Sequence, residues 1–242
     1  MPKVRYNNNK DGGRLAKHLH LQKMSKIEVI PSINEETFDE VKEKIKLVEP
    51  YAEGPDKGGI RWVHLDVYDG TFTPYASWHN APDLLALETP LLIEVHLMIA
   101  DMDTRWSEWM APKVSRVIFH LEAAHDPEFV LKKIKENNKE VGVAIRPETD
   151  WGKLKPFCEK ADLVQTLAVI PGHAGQEFHP EILEKIKHIR ETYPEAIIEA
   201  DGGINLETGK RCAEAGANIL VSANYIFNAL DIKKAIEELK NL

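Results

Sequence analysis

The segment Trp62-Val63-His64-Leu65-Asp66-Val67 places two polar residues, two positions apart, within an otherwise apolar run. Successive side chains of a β-strand point to opposite faces, so His64 and Asp66 share one face. In a closed parallel barrel, alternate side chains of each strand enter the lumen, and functional groups lie at the C-terminal strand ends. The segment therefore predicts a barrel strand that carries a polar site.

Seven further short apolar runs surround this one, and amphipathic helical stretches separate several of them. This alternation predicts parallel pairing through βαβ crossovers. Eight such units close into a single (β/α)8 TIM barrel of the α/β class. The predicted strands are residues 27–31, 61–66, 91–98, 116–121, 141–145, 161–169, 196–200 and 218–222. The predicted helices are residues 35–48, 127–137, 180–193, 206–215 and 232–239, and Asn34, Asp126 and Asn205 are the predicted caps of three of them.

A doubly wound open sheet is the alternative architecture. It normally carries a glycine-rich turn after the first strand, whereas residues 31–34 read Pro-Ser-Ile-Asn. No GxGxxG or GxxxxGK[ST] motif follows any predicted strand. The sequence therefore favours the barrel.

Composition limits the classes of function. The chain has 242 residues with 43% hydrophobic content and a net charge of −8, which disfavours a general attraction to nucleic acid or to an anionic membrane. No apolar run approaches the ~20 residues of a membrane span, and the N-terminus lacks the apolar core of a secretory signal. Cys158 and Cys212 form no disulfide framework. These features predict a cytoplasmic protein.

The first 26 residues differ from the rest of the chain. They are rich in Lys, Arg, Asn and Gly, and Asp11 is their only acid. We expect a basic, poorly packed N-terminal extension or an upstream start, since Met24 directly precedes the first strand. The barrel domain is then predicted to span residues 27–242.

Polar residues also end two other predicted strands. The third strand places His96 and Met98 on one face, and the seventh ends at Asp201 before two glycines. Two imidazoles and two carboxylates are a plausible set of ligands for Zn²⁺, Mn²⁺ or Fe²⁺. We therefore predict one divalent metal ion held by His64, Asp66, His96 and Asp201, with a polar core network as the alternative. His120, His125, His173 and His179 are expected at the surface or the substrate rim.

Two glycine-bearing turns lie on the same predicted side of the barrel, at residues 171–176 and 201–205. Glycines at these turns let backbone N–H groups approach an anion closely, and loops after the late strands of this fold commonly bind phosphate. Each turn alone is weak evidence, because glycine is common at such turns for steric reasons. Together they favour a phosphorylated substrate.

The chain resembles the ribulose-phosphate 3-epimerases over nearly all of residues 27–242. The resemblance rests on five segments in the family's order, and the set is specific although each segment alone is not. They are Ile30-Pro31-Ser32-Ile33, His64 to Phe72, Val95-His96-Leu97-Met98-Ile99, Pro171-Gly172 with Gly175-Gln176-Glu177-Phe178, and Asp201-Gly202-Gly203-Ile204-Asn205.

The resemblance implies metal-dependent inversion at C3 of a ketose phosphate through an enediolate, from D-ribulose 5-phosphate to D-xylulose 5-phosphate in the pentose phosphate pathway. It assigns the same four residues to the metal and gives Asp66 and Asp201 the acid–base role. It further implies a homo-oligomer and a sugar phosphate as the partner molecule. The implied substrate-binding residues are Ser32, Met98, Gly172, Gly175, Gln176, Gly202, Gly203, Ala223 and Asn224.

Several positions depart from the family pattern. Tyr68, Tyr75, Leu167 and His173-Ala174 surround the expected sugar site, and Ala223-Asn224 replaces Gly-Ser in the expected phosphate grip. The alternative substrate is therefore a ketohexose 6-phosphate such as allulose 6-phosphate. A decarboxylase or aldolase-like synthase is disfavoured. Such enzymes carry a D-x-K-x-x-D motif in this region, whereas residues 64–69 contain no lysine. A barrel that only binds a sugar phosphate is disfavoured by the intact ligand set.

Overall fold

The eight strands close into a parallel barrel in the computed structural model, which describes residues 27–52, 59–172 and 176–242. Each strand pairs with the next in sequence, and β1 pairs with β8. The predicted (β/α)8 fold is thus confirmed over the open sheet. The predicted N-terminal extension, residues 1–26, lies outside the described residues. The strands are β1 (Glu28–Ile33), β2 (Trp62–Tyr68), β3 (Leu92–Met98), β4 (Val114–His120), β5 (Glu140–Ile145), β6 (Leu163–Leu167), β7 (Ile198–Asp201) and β8 (Ile219–Ser222).

Helices connect these strands on the outside of the barrel. The α-helices are α1 (Phe38–Val48), α2 (Met102–Arg105), α3 (Pro127–Glu136), α4 (Ile182–Thr192), α5 (Leu206–Ala215), α6 (Asn224–Phe227) and α7 (Ile232–Lys240). Short 3₁₀ helices occupy Glu49–Tyr51, Ala81–Ala86, Trp106–Trp109, Leu121–Ala123 and Trp151–Leu154. Within the described part of the chain, no helix is both long and apolar enough to cross a membrane.

The helix caps show where local sequence chemistry decides the boundaries. Asp126 and Asn205 accept hydrogen bonds from backbone N–H groups in the first turns of α3 and α5, as predicted. The predicted cap Asn34 is wrong, because Thr37 forms a reciprocal capping box with Glu40 and starts α1 three residues later. The side chain of Asn34 instead reaches the barrel mouth.

Three strands extend further toward the mouth than predicted, and one of them is β2, which ends at Tyr68. β1 runs through Pro31 to Ile33, so Ser32 lies in the sheet and pairs in register with His64. β7 includes Asp201, which pairs in register with Leu167 and Val221. These extensions hold both side chains on sheet backbone rather than on loops.

Apolar side chains form two buried clusters on either side of the sheet. The larger one, which includes Leu65 and Val95, lies between the strands and the helices. A smaller cluster, which includes Ile30, Trp62 and Ile118, lies within the lumen. Its members alternate along the strands with the outward-facing residues. The polar site therefore shares the lumen with this apolar cluster and with the buried polar side chains of Glu94, Arg116, Gln165 and Glu199.

Candidate metal centre and active site

The four residues predicted as metal ligands converge at the C-terminal ends of β2, β3 and β7. His64, Asp66, His96 and Asp201 each offer one ligand atom, and these atoms all lie within 4.8 Å of one another. Asp66 Oδ1 is 3.2 Å from both His64 Nε2 and His96 Nδ1. Asp201 Oδ2 is 3.3 Å from His96 Nδ1 and 3.8 Å from His64 Nε2. Register explains part of this arrangement, since Asp66 pairs directly with His96.

The second ring nitrogen of His64 faces a buried ion pair. His64 Nδ1 is 2.7 Å from Glu94 Oε1, and Glu94 Oε2 accepts a hydrogen bond from Arg116 Nη1 at 2.5 Å. The Arg116 guanidinium lies over the Trp62 ring. When His64 Nε2 binds an ion, Nδ1 carries the proton and donates to Glu94, which fixes the tautomer and ring orientation. Arg116 supplies positive charge beside Glu94.

The second ring nitrogen of His96 faces another imidazole. His96 Nε2 is 2.9 Å from His120 Nε2, and His120 Nδ1 is 3.2 Å from Glu122 Oε2. When His96 Nδ1 binds an ion, Nε2–H donates to His120, whose Nδ1–H then donates to Glu122. Burial lowers the pKa of His120 to about 4, which matches this neutral role. The expected position of His120 at the surface or the substrate rim is wrong, because its side chain is fully buried and is not part of the cavity lining.

The electrostatics of the cluster favour a cation at its centre. Burial alone would lower the pKa of His64, but hydrogen bonds to Asp66 and Glu94 outweigh it and raise the pKa well above its usual value. Burial would raise the pKa of Asp66, but the contacts with His64 and His96 lower it. Both shifts mean that positive charge is stabilised here. Two imidazole nitrogens and two carboxylate oxygens therefore fit a divalent metal ion.

A buried amide supports Asp201 from the neighbouring strand. Gln165 Nε2 donates to Asp201 Oδ2 at 3.2 Å and to Glu199 Oε1 at 3.1 Å. Burial raises the pKa of Glu199, and no hydrogen bond to Glu199 Oε2 occurs within the described ranges. Asp201 Oδ1 makes no hydrogen bond to any described residue. One oxygen of Asp201 is thus held by the protein, and the other has no hydrogen-bond partner among the described residues.

Asp66 is held in a different way. Its Oδ1 faces the two imidazoles, while Oδ2 accepts a hydrogen bond from Ser32 Oγ at 2.7 Å. Ser32, named above as an implied substrate-binding residue, therefore contacts one of the two aspartates. The two aspartates enter the site from β2 and β7, which β1 and β8 separate around the barrel.

A cavity of about 530 Å³ opens above the cluster at the barrel mouth. Asp66 and Asp201 line it, whereas the two histidine ligands lie beneath its wall. Among the predicted substrate-binding residues, those that line it are Ser32, Met98, Gly172, Gln176, Gly202, Gly203, Ala223 and Asn224. Gly175 lies outside the described residues, as does His173.

Comparison with known proteins assigns the chain to a family. The model of the ribulose-phosphate 3-epimerase family matches residues 28–227. The chain belongs to this family. It is 33% identical over 222 residues to the ribulose-phosphate 3-epimerase of Bacillus subtilis, covering 88% of this chain and 98% of that relative. It is 32% identical to the enzyme of Schizosaccharomyces pombe, covering 76% and 83%.

Membership of the ribulose-phosphate 3-epimerase family makes the chain a carbohydrate epimerase of the isomerase class, as predicted. Solved structures add evidence on the fold alone. A 3-hexulose-6-phosphate synthase matches with a TM-score of 0.62 at 16% identity, over 89% of this chain and 99% of that one. An orotidine 5'-phosphate decarboxylase from Pyrococcus horikoshii matches with a TM-score of 0.57 at 16% identity, over 88% and 97%.

The glycine turn after β7 needs its glycines in this family member. Gly202 and Gly203 have φ values of 100° and 65°, which L side chains rarely adopt. A Cβ on Gly202 would also lie 2.7 Å from Val169 Cγ2. Ala223, in contrast, has φ −101°, so the turn after β8 tolerates a side chain there. The departure at Ala223 therefore leaves the backbone of the expected phosphate grip intact.

Some residues around the site were given no part in it by the sequence predictions, which placed His120 at the surface or the substrate rim and assigned Asn34 as a helix cap. They are Glu94, His120, Glu122, Gln165 and Glu199 beneath it, and Asn34 in the cavity wall. A signal existed for three of them, because Glu94, Gln165 and Glu199 are polar residues within buried strands. Tyr68 and Leu167, noted as departures from the family pattern, also line the cavity.

Proposed function

We propose that the protein interconverts D-ribulose 5-phosphate and D-xylulose 5-phosphate by inversion at C3. The observation that carries the proposal is that Asp66 and Asp201 enter one cavity from strands on different sides of the barrel. Inversion requires a base that removes a proton from one face of a carbon and an acid that returns one to the other face. Two carboxylates from separate strands match that requirement.

The chain's own residues supply the proton transfers. One aspartate removes the C3 proton, the C3–H electron pair moves into a C2–C3 double bond, and the ketone becomes an enediolate. The other aspartate then delivers a proton to the opposite face of C3. In the reverse reaction the two carboxylates exchange roles. The unengaged Oδ1 of Asp201 and the Ser32-bound Oδ2 of Asp66 would carry out these transfers.

His64, Asp66, His96 and Asp201 would hold the divalent ion, which is Zn²⁺, Fe²⁺ or Mn²⁺ by the chemistry of the donors. When bound, the ion supplies Lewis acidity that polarises the ketone and stabilises the negative charge of the enediolate. His64 and His96 serve only as ligands, while the two aspartates combine ligation with proton transfer.

The turns after β7 and β8 would hold the phosphate. Gly202, Gly203, Ala223 and Asn224 line the cavity on the side opposite β3 and β4, and their backbone N–H groups would donate to the phosphate. Met98, Gly172 and Gln176 would contact the sugar. The prediction for Gly175 falls outside the described residues. A homo-oligomeric state and a cytoplasmic location stay predictions.

The test is an assay of purified protein with pentulose and hexulose phosphates. We expect epimerisation of D-ribulose 5-phosphate to be lost on chelation and restored by one of the three metals. A much faster reaction with allulose 6-phosphate would select the ketohexose alternative, which the departures at Tyr68 and Leu167 in the cavity wall favour.

Asp201→Asn should lower kcat at least ~1,000-fold while leaving the fold intact. An unchanged rate in that variant would exclude the assigned mechanism.

A further inference from the structure

A tyrosine hydroxyl lies in the cavity wall near the two aspartates. Tyr68 is the last residue of β2 and follows Asp66 by two positions, so both side chains enter the lumen. It lines the same cavity as Asp66 and Asp201. Only 5% of the residue is exposed, so packing fixes the ring.

The amide of Asn34 orients this hydroxyl. Asn34 Nδ2 donates a hydrogen bond to Tyr68 Oη at 3.1 Å. An amide NH₂ group only donates, so it occupies a lone pair of the phenol oxygen and leaves the O–H hydrogen for another partner. No described residue accepts that hydrogen. The hydroxyl is therefore a preoriented donor whose hydrogen is unused by the protein.

Such a donor suits the reaction proposed for this cavity. Removal of the C3 proton develops negative charge on the enediolate oxygens. A donor that is already oriented and shielded from water stabilises this developing charge more than it stabilises the neutral ketone.

We propose that Tyr68 is a further catalytic residue, whose hydroxyl, oriented by Asn34, donates a hydrogen bond to an enediolate oxygen. The inference rests on the proposed epimerase function. Tyr68 transfers no proton, and both transfers stay with Asp66 and Asp201. Its contribution is made in the transition state, so it affects kcat more than KM.

The experiment compares Tyr68→Phe with the wild-type enzyme, loaded with metal and assayed on D-ribulose 5-phosphate. We expect kcat to fall about 10- to 100-fold, KM to change less than about threefold, and metal affinity and Tm to stay unchanged. Tyr193→Phe, which removes a hydroxyl at the end of α4, should leave kcat unchanged. An unchanged kcat in Tyr68→Phe, or a rise in KM alone, would overturn the inference. An inactive wild-type enzyme would instead overturn the proposed function.

A second variant tests the orienting role of Asn34. The carboxylate in Asn34→Asp would accept the Tyr68 hydrogen and turn it away from the substrate, so we expect a loss of kcat similar to that in Tyr68→Phe. In the Tyr68→Phe background, Asn34→Asp should add little further loss, because the hydroxyl is already gone. Equal losses in both backgrounds would show that the new charge acts directly, and would overturn the role given to Asn34.

Discussion

At the residue scale, Glu94 accepts a hydrogen bond from His64 Nδ1 on the side away from the cavity. Glu94→Gln keeps the shape of the side chain but weakens this acceptor and its ion pair with Arg116. Loss of such support typically lowers metal affinity about 10- to 100-fold. We expect that loss in a chelator competition assay.

Glu140→Gln is the matched control for this prediction. Glu140 also pairs with Arg116, at 2.7 Å, but it does not contact His64. Its substitution should leave metal affinity within about twofold of the wild-type value, since the median exposed ion pair contributes little. Equal losses in the two variants would show that Arg116, rather than the hydrogen bond to His64, governs affinity.

Glu122 predicts a specific dependence of stability on pH. Burial alone would raise its pKa, but hydrogen bonds from His120, Thr149 and the Arg146 backbone N–H lower it to about 2. A carboxyl whose pKa is lower in the folded state contributes stability above its unfolded pKa of 4.5 and loses it as the pH falls toward 2. The contribution is at most about 3 kcal/mol.

Urea unfolding at pH 6, 4.5 and 3 measures this effect. Glu122→Gln should be less stable than wild type at pH 6, and the difference should shrink as the pH falls. The exposed Glu88 provides the control, and Glu88→Gln should follow the wild-type curve. A constant difference between Glu122→Gln and wild type at all three pH values would contradict the prediction.

At the element scale, helix α5 carries the turn that borders the cavity. Asn205 caps α5 by accepting hydrogen bonds from Glu207 N and Thr208 N, and Thr208 Oγ1 donates to Gly203 O. Asn205→Ala should lower the free energy of unfolding by about 1 kcal/mol. It should also raise KM for the sugar phosphate several-fold, because Asn205 holds Thr208, whose hydroxyl anchors the Gly202-Gly203 turn.

Helix α7 offers a control for this change. Asp231 caps α7 by accepting from Lys234 N, away from the cavity lining. Asp231→Ala should lower stability by a similar ~1 kcal/mol and leave KM unchanged. A parallel rise of KM in both variants would mean that general loss of stability, and not the turn, controls substrate binding.

The sequence predicted the elements well where period and cap chemistry agree. The apolar alternation around His64 identified β2, and Asn205 marked the start of α5 correctly. It failed at α1, because Asn34 and Thr37 are both acceptable caps and only the Glu40 side chain decides between them. The start of α1 at Phe38 leaves Asn34 free to meet Tyr68.

The site was predictable only in part for a related reason. Spacing along one strand shows which residues share a face, so the pair His64 and Asp66 was accessible. Contacts between strands depend on the register of strand pairing, which cannot be predicted from this sequence alone. The hydrogen bonds of Glu94 with His64 and of Gln165 with Asp201 cross between strands, so these partners were missed.

At the scale of the whole molecule, the proposed ion links three strands of the closed barrel. An ion that binds only the folded state stabilises it by about 2.7 kcal/mol at a free concentration of 100 times Kd. For a chain of this length, chelation should therefore lower Tm by about 5–10 °C. Calorimetry with and without chelator measures the difference.

The control for chelation removes one ligand. His96→Gln should weaken ion binding so that its Tm responds little to chelator, whereas Tyr193→Phe should respond as the wild type does. An equal response in His96→Gln and wild type would show that the stabilising ion binds somewhere other than the His64, Asp66, His96 and Asp201 cluster.

The supports of the four ligands lie on barrel strands or directly beneath them, while loops form much of the cavity rim. Arg116 and Glu94 hold His64 from within the barrel, and Gln165 holds Asp201 in the same way. The residues that support the proposed ligands therefore lie in the barrel, and much of the surface that would select the sugar lies in the loops. A library that randomises only the rim loops would leave the proposed catalytic residues and their supports in place. New sugar preferences can therefore evolve without any change to the catalytic centre.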